Sequence, residues 1–198
     1  NADKCIQCGQ CAFACPHATI RPFLMTEEEC AKASEIAKEN GFELTYKEPS
    51  PLYGKAKAEG LKFRIQLATE NCVGCGVCMT VCPVGDGTKE NPRALTAKPI
   101  ATQMKQQPVA DYLYKKTPEK PQYGNPNTVA GVSLERPYFE VSGCCPGCGE
   151  APYYRLVSQL FGRDMLVANA TGCSMIYCSA TPSNPFATND QGEGIAWA

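Results

Sequence analysis

Cys5-Ile6-Gln7-Cys8-Gly9-Gln10-Cys11-Ala12-Phe13-Ala14-Cys15-Pro16 and Cys72-Val73-Gly74-Cys75-Gly76-Val77-Cys78-Met79-Thr80-Val81-Cys82-Pro83 are two copies of one arrangement. In each, three cysteines stand three residues apart, a fourth follows four residues later, and a proline comes next. Three thiolates at that spacing wrap a loop round one face of a cubane cluster and bind three of its irons, with backbone N–H groups pointing at sulfur. The fourth iron needs a thiolate from elsewhere. The fourth cysteine of each run is expected to begin a helix leading away from its own loop, with the proline in the first turn, and so to ligate the other run's cluster. Cys5, Cys8, Cys11 and Cys82 are thereby assigned to one 4Fe-4S cluster (cluster 1), and Cys72, Cys75, Cys78 and Cys15 to a second (cluster 2). Structural zinc is the competing reading. It takes four ligands in a closed tetrahedron, so a third clamp cysteine, a fourth and a proline, twice over, are in excess of its needs.

The rest of the composition agrees with a globular redox protein. The chain has 198 residues, 43% of them hydrophobic, and its 19 basic and 20 acidic side chains nearly balance. Nothing there favours a nucleic-acid groove or an anionic membrane surface. No apolar run approaches the ~20 residues that span a bilayer, and the N-terminus lacks a basic-then-apolar signal. A soluble cytoplasmic protein, cut from something longer, is expected. Fourteen cysteines in clamps rather than scattered singly between loops argue against a disulfide scaffold.

Between the two runs, Thr26 to Asn40 has a capping threonine, acidic residues in the first turn and Gly41 beyond its end, and so predicts a helix with Cys30, Ala33, Ile36 and Ala37 on its apolar face. Phe42 to Tyr46 and Leu61 to Leu67 alternate apolar and polar and predict strands, separated by loop. This reads as a helix/strand excursion inserted in an α+β ferredoxin-like two-cluster domain, residues 1–104. Residues 105–137, rich in Gln, Lys and Pro, read as a linker wrapping a surface. Residues 138–198 read as the truncated start of an α/β unit: a short strand at Tyr138–Val141, a helix over Pro152–Phe161 and a buried strand at Met165–Ala168. His17, the sole histidine, is expected at the surface, and Cys30 in the core.

A third cysteine site remains, Gly143-Cys144-Cys145-Pro146-Gly147-Cys148-Gly149-Glu150, with Cys173 and Cys178 further on. A Cys-x-x-Cys pair at a helix entrance suits a redox dithiol or half of a metal site. Here the chain resembles a known family. Gly143 to Tyr153, Gln159-Leu160-Phe161-Gly162 and Ala168-Asn169-Ala170-Thr171-Gly172-Cys173-Ser174 look like the thiamine-binding domain of pyruvate:ferredoxin (flavodoxin) oxidoreductases. Lys4 through Ala18, with Ile20-Arg21-Pro22-Phe23, are similar to the two-cluster domain that precedes it there.

The resemblance implies that Cys145, Cys148 and Cys173 are three ligands of a third 4Fe-4S cluster, proximal to thiamine diphosphate, with the fourth ligand outside this chain. It also implies that Glu150 is catalytic, and that Glu150 and Cys173 contact the thiamine diphosphate, whose Mg2+ and diphosphate ligands lie outside this chain. A carboxylate beside the aminopyrimidine would promote the imino tautomer that generates the ylide. Asn169 and Thr171 would hold their loop. The activity implied is reversible oxidative decarboxylation of pyruvate with coenzyme A to acetyl-CoA and CO2, with electrons passing to ferredoxin or flavodoxin, in a homo-oligomer that includes the rest of the same enzyme. A two-cluster electron-transfer subunit of another redox complex is the alternative, and a zinc-stabilised interaction module a third.

Overall fold

The computed structural model describes residues 1–179 and 184–197. Each cysteine run folds in the same way. Gly9 and Gly76, one residue after the second cysteine of their runs, adopt left-handed conformations (φ 76° and 80°) that turn the chain into the one-turn helices α1 (Gln10–Phe13) and α3 (Val77–Thr80). Each helix carries the third cysteine of its run, Cys11 or Cys78, and ends before the fourth. The expectation that Cys15 and Cys82 open outgoing helices is therefore corrected: each closes a short helix, and its proline leads into loop. The two helices pack against each other, and both fourth cysteines are buried at 8% exposure.

Strand β1 (Ile20–Met25) pairs antiparallel with β2 (Lys62–Leu67), Ile20 opposite Leu67 and Met25 opposite Lys62. The β2 segment is the strand expected at Leu61–Leu67. Successive side chains of a strand point to opposite faces. Phe23 and Met25 accordingly enter one core while Leu24 enters another with Tyr53 and Phe63. Helix α2 (Glu27–Glu39) is the helix predicted over Thr26–Asn40. Thr26 Oγ1 accepts the Glu29 N–H at 3.2 Å, and the Glu29 carboxylate accepts the Thr26 N–H at 2.7 Å, which completes a capping box. Phe42 to Tyr46 forms no strand. Its apolar residues do alternate onto the α2 core, but the only ladder contact nearby is a bridge from Lys47 to Phe63.

Residues 105–137 depart most from expectation. They contain α4 (Gln107–Lys116), whose Val109, Ala110 and Leu113 are fully buried against α2 and β1. Burying a side chain the size of Leu113 contributes roughly 1.5–3 kcal/mol, so α4 is part of the core rather than a linker laid over it. Tyr114 donates its hydroxyl to the carbonyls of Thr19 (2.9 Å) and Gln66 (3.0 Å), which ties α4 to the ends of both strands. The one-turn helix α5 (Val129–Val132) presses on the first run so closely that a methyl group on Gly9 would stand 2.9 Å from Ser133 Oγ.

Beyond Pro137, Phe139 anchors a third core with Tyr154, Tyr177 and Cys178. Helix α6 (Ala151–Phe161) matches the expected Pro152–Phe161. The strand expected at Tyr138–Val141 is a single bridge, Phe139 to Phe186. The buried strand expected at Met165–Ala168 is the two-residue β3 (Leu166–Val167), which is not buried, since Leu166 is 75% exposed. After α7 (Cys173–Ser179), β4 (Ala196–Trp197) pairs parallel with β3. Residues 180–183 and 198 of the 138–198 segment lie outside the described residues. Among the described residues no helix is long and apolar enough to cross a membrane.

Candidate metal centre

All fourteen cysteines are free thiols. Cys5, Cys8, Cys11 and Cys82 line one cavity of about 230 Å³. That is well over ten times the ~10–15 Å³ one ordered water requires, and it brings together the four residues assigned to cluster 1. Cys82 reaches it because the loop after it is tied to the segment before Cys5: Arg93 donates to the Cys82 carbonyl and Lys4 Nζ to the Pro92 carbonyl (3.1 Å). The donor set suits an iron–sulfur cubane, four sulfurs from two loops around a void. A zinc ion would need its ligands about 2.3 Å from one point, and among the described residues no group of three or more His, Cys, Asp or Glu side chains converges on a single ion.

Gln7 orders the first run. It is 3% exposed and holds a left-handed backbone (φ 61°) where the second run has Gly74 (φ 68°). That conformation is disfavoured for a side-chain-bearing residue. Here it is stabilised by three hydrogen bonds: Gln7 Nε2 donates to the Glu48 carbonyl (2.7 Å), Gln7 Oε1 accepts the Ser50 N–H (2.8 Å), and the Gln7 carbonyl accepts the Tyr53 hydroxyl (2.9 Å). The result directs the Gln7 N–H at Cys5 Sγ, 3.4 Å away, the kind of N–H···S contact that tunes such sites. No signal within the run marks Gln7. Its partners lie more than forty residues downstream.

The second run is more open: Cys75 is exposed, Cys72 and Cys78 half-buried. Cys15 joins it from the first run, where Thr19 Oγ1 lies 3.4 Å from the Cys15 sulfur. Burial pushes the Cys78 thiol up to about 11, and the neighbours that push it further are Cys15, Cys72 and Cys75, the residues assigned to cluster 2 with it. Burial likewise pushes Cys11 up to about 12, with Cys5, Cys78 and Cys8 adding to it. Cys5 is raised by the same cause, partly offset by the Gln7 N–H.

These shifts set a pH dependence. Folded apo-protein holds its thiol protons to higher pH than the unfolded chain, so its fold loses stability as pH rises from 9.0 towards those values. Iron takes thiolates and releases the protons, so its advantage grows over the same range. Anaerobic assembly from ferrous iron and sulfide, followed by absorbance, is expected to quicken about tenfold per unit between about pH 7 and pH 9. A flat profile would show that thiol deprotonation does not limit assembly.

The third clamp sits against the second run. A methyl group on Gly147, between Cys145 and Cys148, would stand 3.5 Å from Val77 Cγ2 and 3.8 Å from Cys75 Cβ. Cys144, beside the clamp, meets the segment that leaves the first run. His17, buried at 4% rather than at the surface, has Nε2 at 3.2 Å from the Cys144 carbonyl oxygen and 3.4 Å from its sulfur. Burial holds the imidazole below its ordinary pKa. Its position beside Cys144 could not be read from sequence, where the two are 127 residues apart.

Cys145 is exposed and Cys148 half-buried against the Phe139 core. Cys173 is exposed at the start of α7, the helix that enters the same core through Tyr177 and Cys178. No described contact joins the Cys173 thiol to Cys145 or Cys148. Asn169 holds its loop by donating to the Ser174 carbonyl at 3.2 Å. Exposed Glu150 precedes α6 and lines an open cavity of about 490 Å³ with Tyr153, Tyr154, Val157 and Leu166.

Residues 4–85 match the 4Fe-4S dicluster domain family. The whole chain is 42% identical over 202 residues to a pyruvate-flavodoxin oxidoreductase of Enterobacter agglomerans, and 99% of it is 42% identical to a pyruvate:ferredoxin oxidoreductase of Moorella thermoacetica. The chain belongs to this oxidoreductase family. It spans 15% of the length of each of those two relatives. A mitochondrial pyruvate dehydrogenase [NADP(+)] of Euglena gracilis is 39% identical over 98% of the chain, which is 10% of that relative. In each of these relatives the matching stretch is a small part of a much longer polypeptide.

Proposed function

We propose that the parent protein oxidatively decarboxylates pyruvate with coenzyme A, reversibly, to acetyl-CoA and CO2, and passes the electrons through three 4Fe-4S clusters to ferredoxin or flavodoxin. This stretch is the two-cluster relay joined to one edge of the thiamine diphosphate site. The observation that carries the reading is the seating of the Gly147 loop on Cys75 and Val77. An isolated electron carrier has no use for a third cysteine clamp there, followed at once by a carboxylate and a cavity.

In this reading the two runs hold clusters 1 and 2 with exchanged fourth ligands, and Cys145, Cys148 and Cys173 hold the third with one ligand from elsewhere in the parent protein. The clamp abuts the second run, so Cys15, Cys72, Cys75 and Cys78 would hold the cluster nearer to the clamp, and Cys5, Cys8, Cys11 and Cys82 the one beyond it. Thiamine diphosphate with Mg2+, bound largely by other parts of the parent protein, supplies stabilisation of the carbanion left when CO2 departs. Glu150 holds the proton exchanged with its aminopyrimidine. Gln7, His17 and Cys144 keep the loops in register and water away from the buried fourth cysteines. The α2–β2 segment is an excursion inserted in the ferredoxin-like domain of residues 1–104, α4 packs into that domain's core, the rest of residues 105–137 leads to the next domain, and residues 138–198 begin the thiamine domain. The exposed Tyr153, Phe161 and Ile176 are covered by the rest of that domain.

Iron and acid-labile sulfide analysis of the full-length protein tests the reading. About twelve of each per chain, four per cubane, with bound thiamine diphosphate, is expected. About eight of each without thiamine would leave a two-cluster carrier instead.

A further inference from the structure

Arg155 is a buried cation without a carboxylate. It lies on the inner face of α6 at 2% exposure. Its Nη1 donates to Gln159 Oε1 at 2.6 Å, its Nη2 donates to the Phe13 carbonyl, two residues before Cys15, and its guanidinium carbon stands 6.0 Å from the centre of the Phe13 ring. Both hydrogen-bond partners are neutral, and Nε has no partner among the described residues. The charges that act on it are the Cys15 thiol group and Arg21. Arg21 already has a counter-ion, Glu140. Arg155 has none among the described residues, and an unpaired buried cation is strongly unfavourable.

We infer that the counter-charge of Arg155 is the thiolate set of cluster 2, and that Arg155 holds the reduction potential of that cluster up. The inference rests on the assignment of Cys15 with Cys72, Cys75 and Cys78. Four thiolates around a cubane carry net negative charge. One electron from a reductant adds another negative charge, makes or breaks no bond and moves no proton. A fixed positive charge in a low-dielectric interior stabilises the reduced form more than the oxidised one. The cations beside cluster 1 among the described residues are less buried: Lys47, which donates to the Asp3 and Cys5 carbonyls, and Arg93, which donates to the Cys82 carbonyl, are both half-buried, where solvent screens them more than it screens Arg155. Arg155 thus separates the potentials of two otherwise matching sites, favouring reduction of the one next to the third clamp.

Arg155 also docks α6 on α1 and, through Gln159, on the carbonyls of Val132 and Glu135. A purely docking role is separable because it does not depend on charge. The test is an anaerobic dithionite titration of the full-length, iron-loaded protein by electron paramagnetic resonance, for wild type, Arg155→Gln and Arg155→Lys. Arg155→Gln is expected to lower one midpoint by about 59 mV, a tenfold shift in a one-electron equilibrium, and to leave the other two in place. Arg155→Lys, which keeps the charge and loses the planar fork, is expected to restore most of it. Unchanged midpoints in both variants at full iron content overturn the inference. If Arg155→Gln loses iron, Gln159→Glu decides: a carboxylate beside Arg155 should lower the same midpoint, and an unmoved one overturns the inference. Wild-type protein without two such signals overturns the cluster assignment itself, and is told apart because no variant is needed to see it.

Discussion

Cys82→Ala, in the second run, abolishes the same paramagnetic signal as Cys5→Ala in the first, while Cys72→Ala abolishes the other; Cys15→Ala groups with Cys72→Ala. This crossed pattern is expected from the cavity that Cys82 shares with Cys5, Cys8 and Cys11, and from the field of Cys15 on Cys78. Alanine is the informative replacement because serine retains an oxygen able to ligate iron. Each variant leaves three thiolates at one site and four at the other, so iron content falls at one cluster only. The measurement is reduced-state electron paramagnetic resonance of the four full-length variants, with iron per chain as control. Grouping by run, Cys82→Ala with Cys72→Ala, would sink the exchanged ligation. The crossing also has a folding consequence. With exchanged ligation neither run would complete a site alone, so metal uptake would reinforce the packing of α1 on α3.

Why some of this was legible in the sequence and some not is a matter of how local the deciding contacts are. The cysteine spacing, the Thr26 N-cap and the alternation in β2 are each contained within a dozen residues; the helix and the strand appear as expected, whereas the fourth cysteines follow their helices instead of opening them. Helix α4 was missed although Val109, Ala110 and Leu113 keep helical spacing, because Pro108 and the surrounding Gln and Lys residues read as breaker and linker. Proline is compatible with the first turn of a helix, and here it stands there. Phe42 to Tyr46 misled in the opposite direction. Its alternation is real in burial, but its apolar face meets α2 and no strand lies alongside in register. A period of two reports a half-buried extended chain, and a ladder needs a partner as well. His17, Gln7 and Arg155 were beyond reach for one shared reason: their partners are Cys144, the Glu48–Tyr53 loop and Phe13, all distant in sequence.

Glu150→Ala in the full-length protein is expected to lower pyruvate-dependent reduction of ferredoxin or flavodoxin by roughly 10²- to 10⁴-fold, the usual span for removal of a positioned proton-transfer group. Thiamine diphosphate affinity should fall with it, and the cluster signals should stay as they are. The placement of Glu150 motivates this separation. It is two residues past Cys148, so it shares the clamp's rigid turn, in which the Cys148 N–H donates to the Cys145 carbonyl at 3.0 Å. Its side chain is exposed and borders the cavity between α6 and β3, whereas the clamp meets the second run on the side of Gly147. Glu150 makes no side-chain capping bond on helix α6. Turnover by acceptor reduction and cofactor affinity by calorimetry are the two readouts. Wild-type values in both would remove Glu150 from the chemistry. Lost turnover with lost cluster signals would mean that the clamp had collapsed, and Glu150→Gln, which keeps the shape without the charge, then separates the two: lost turnover with intact signals assigns the effect to the carboxylate.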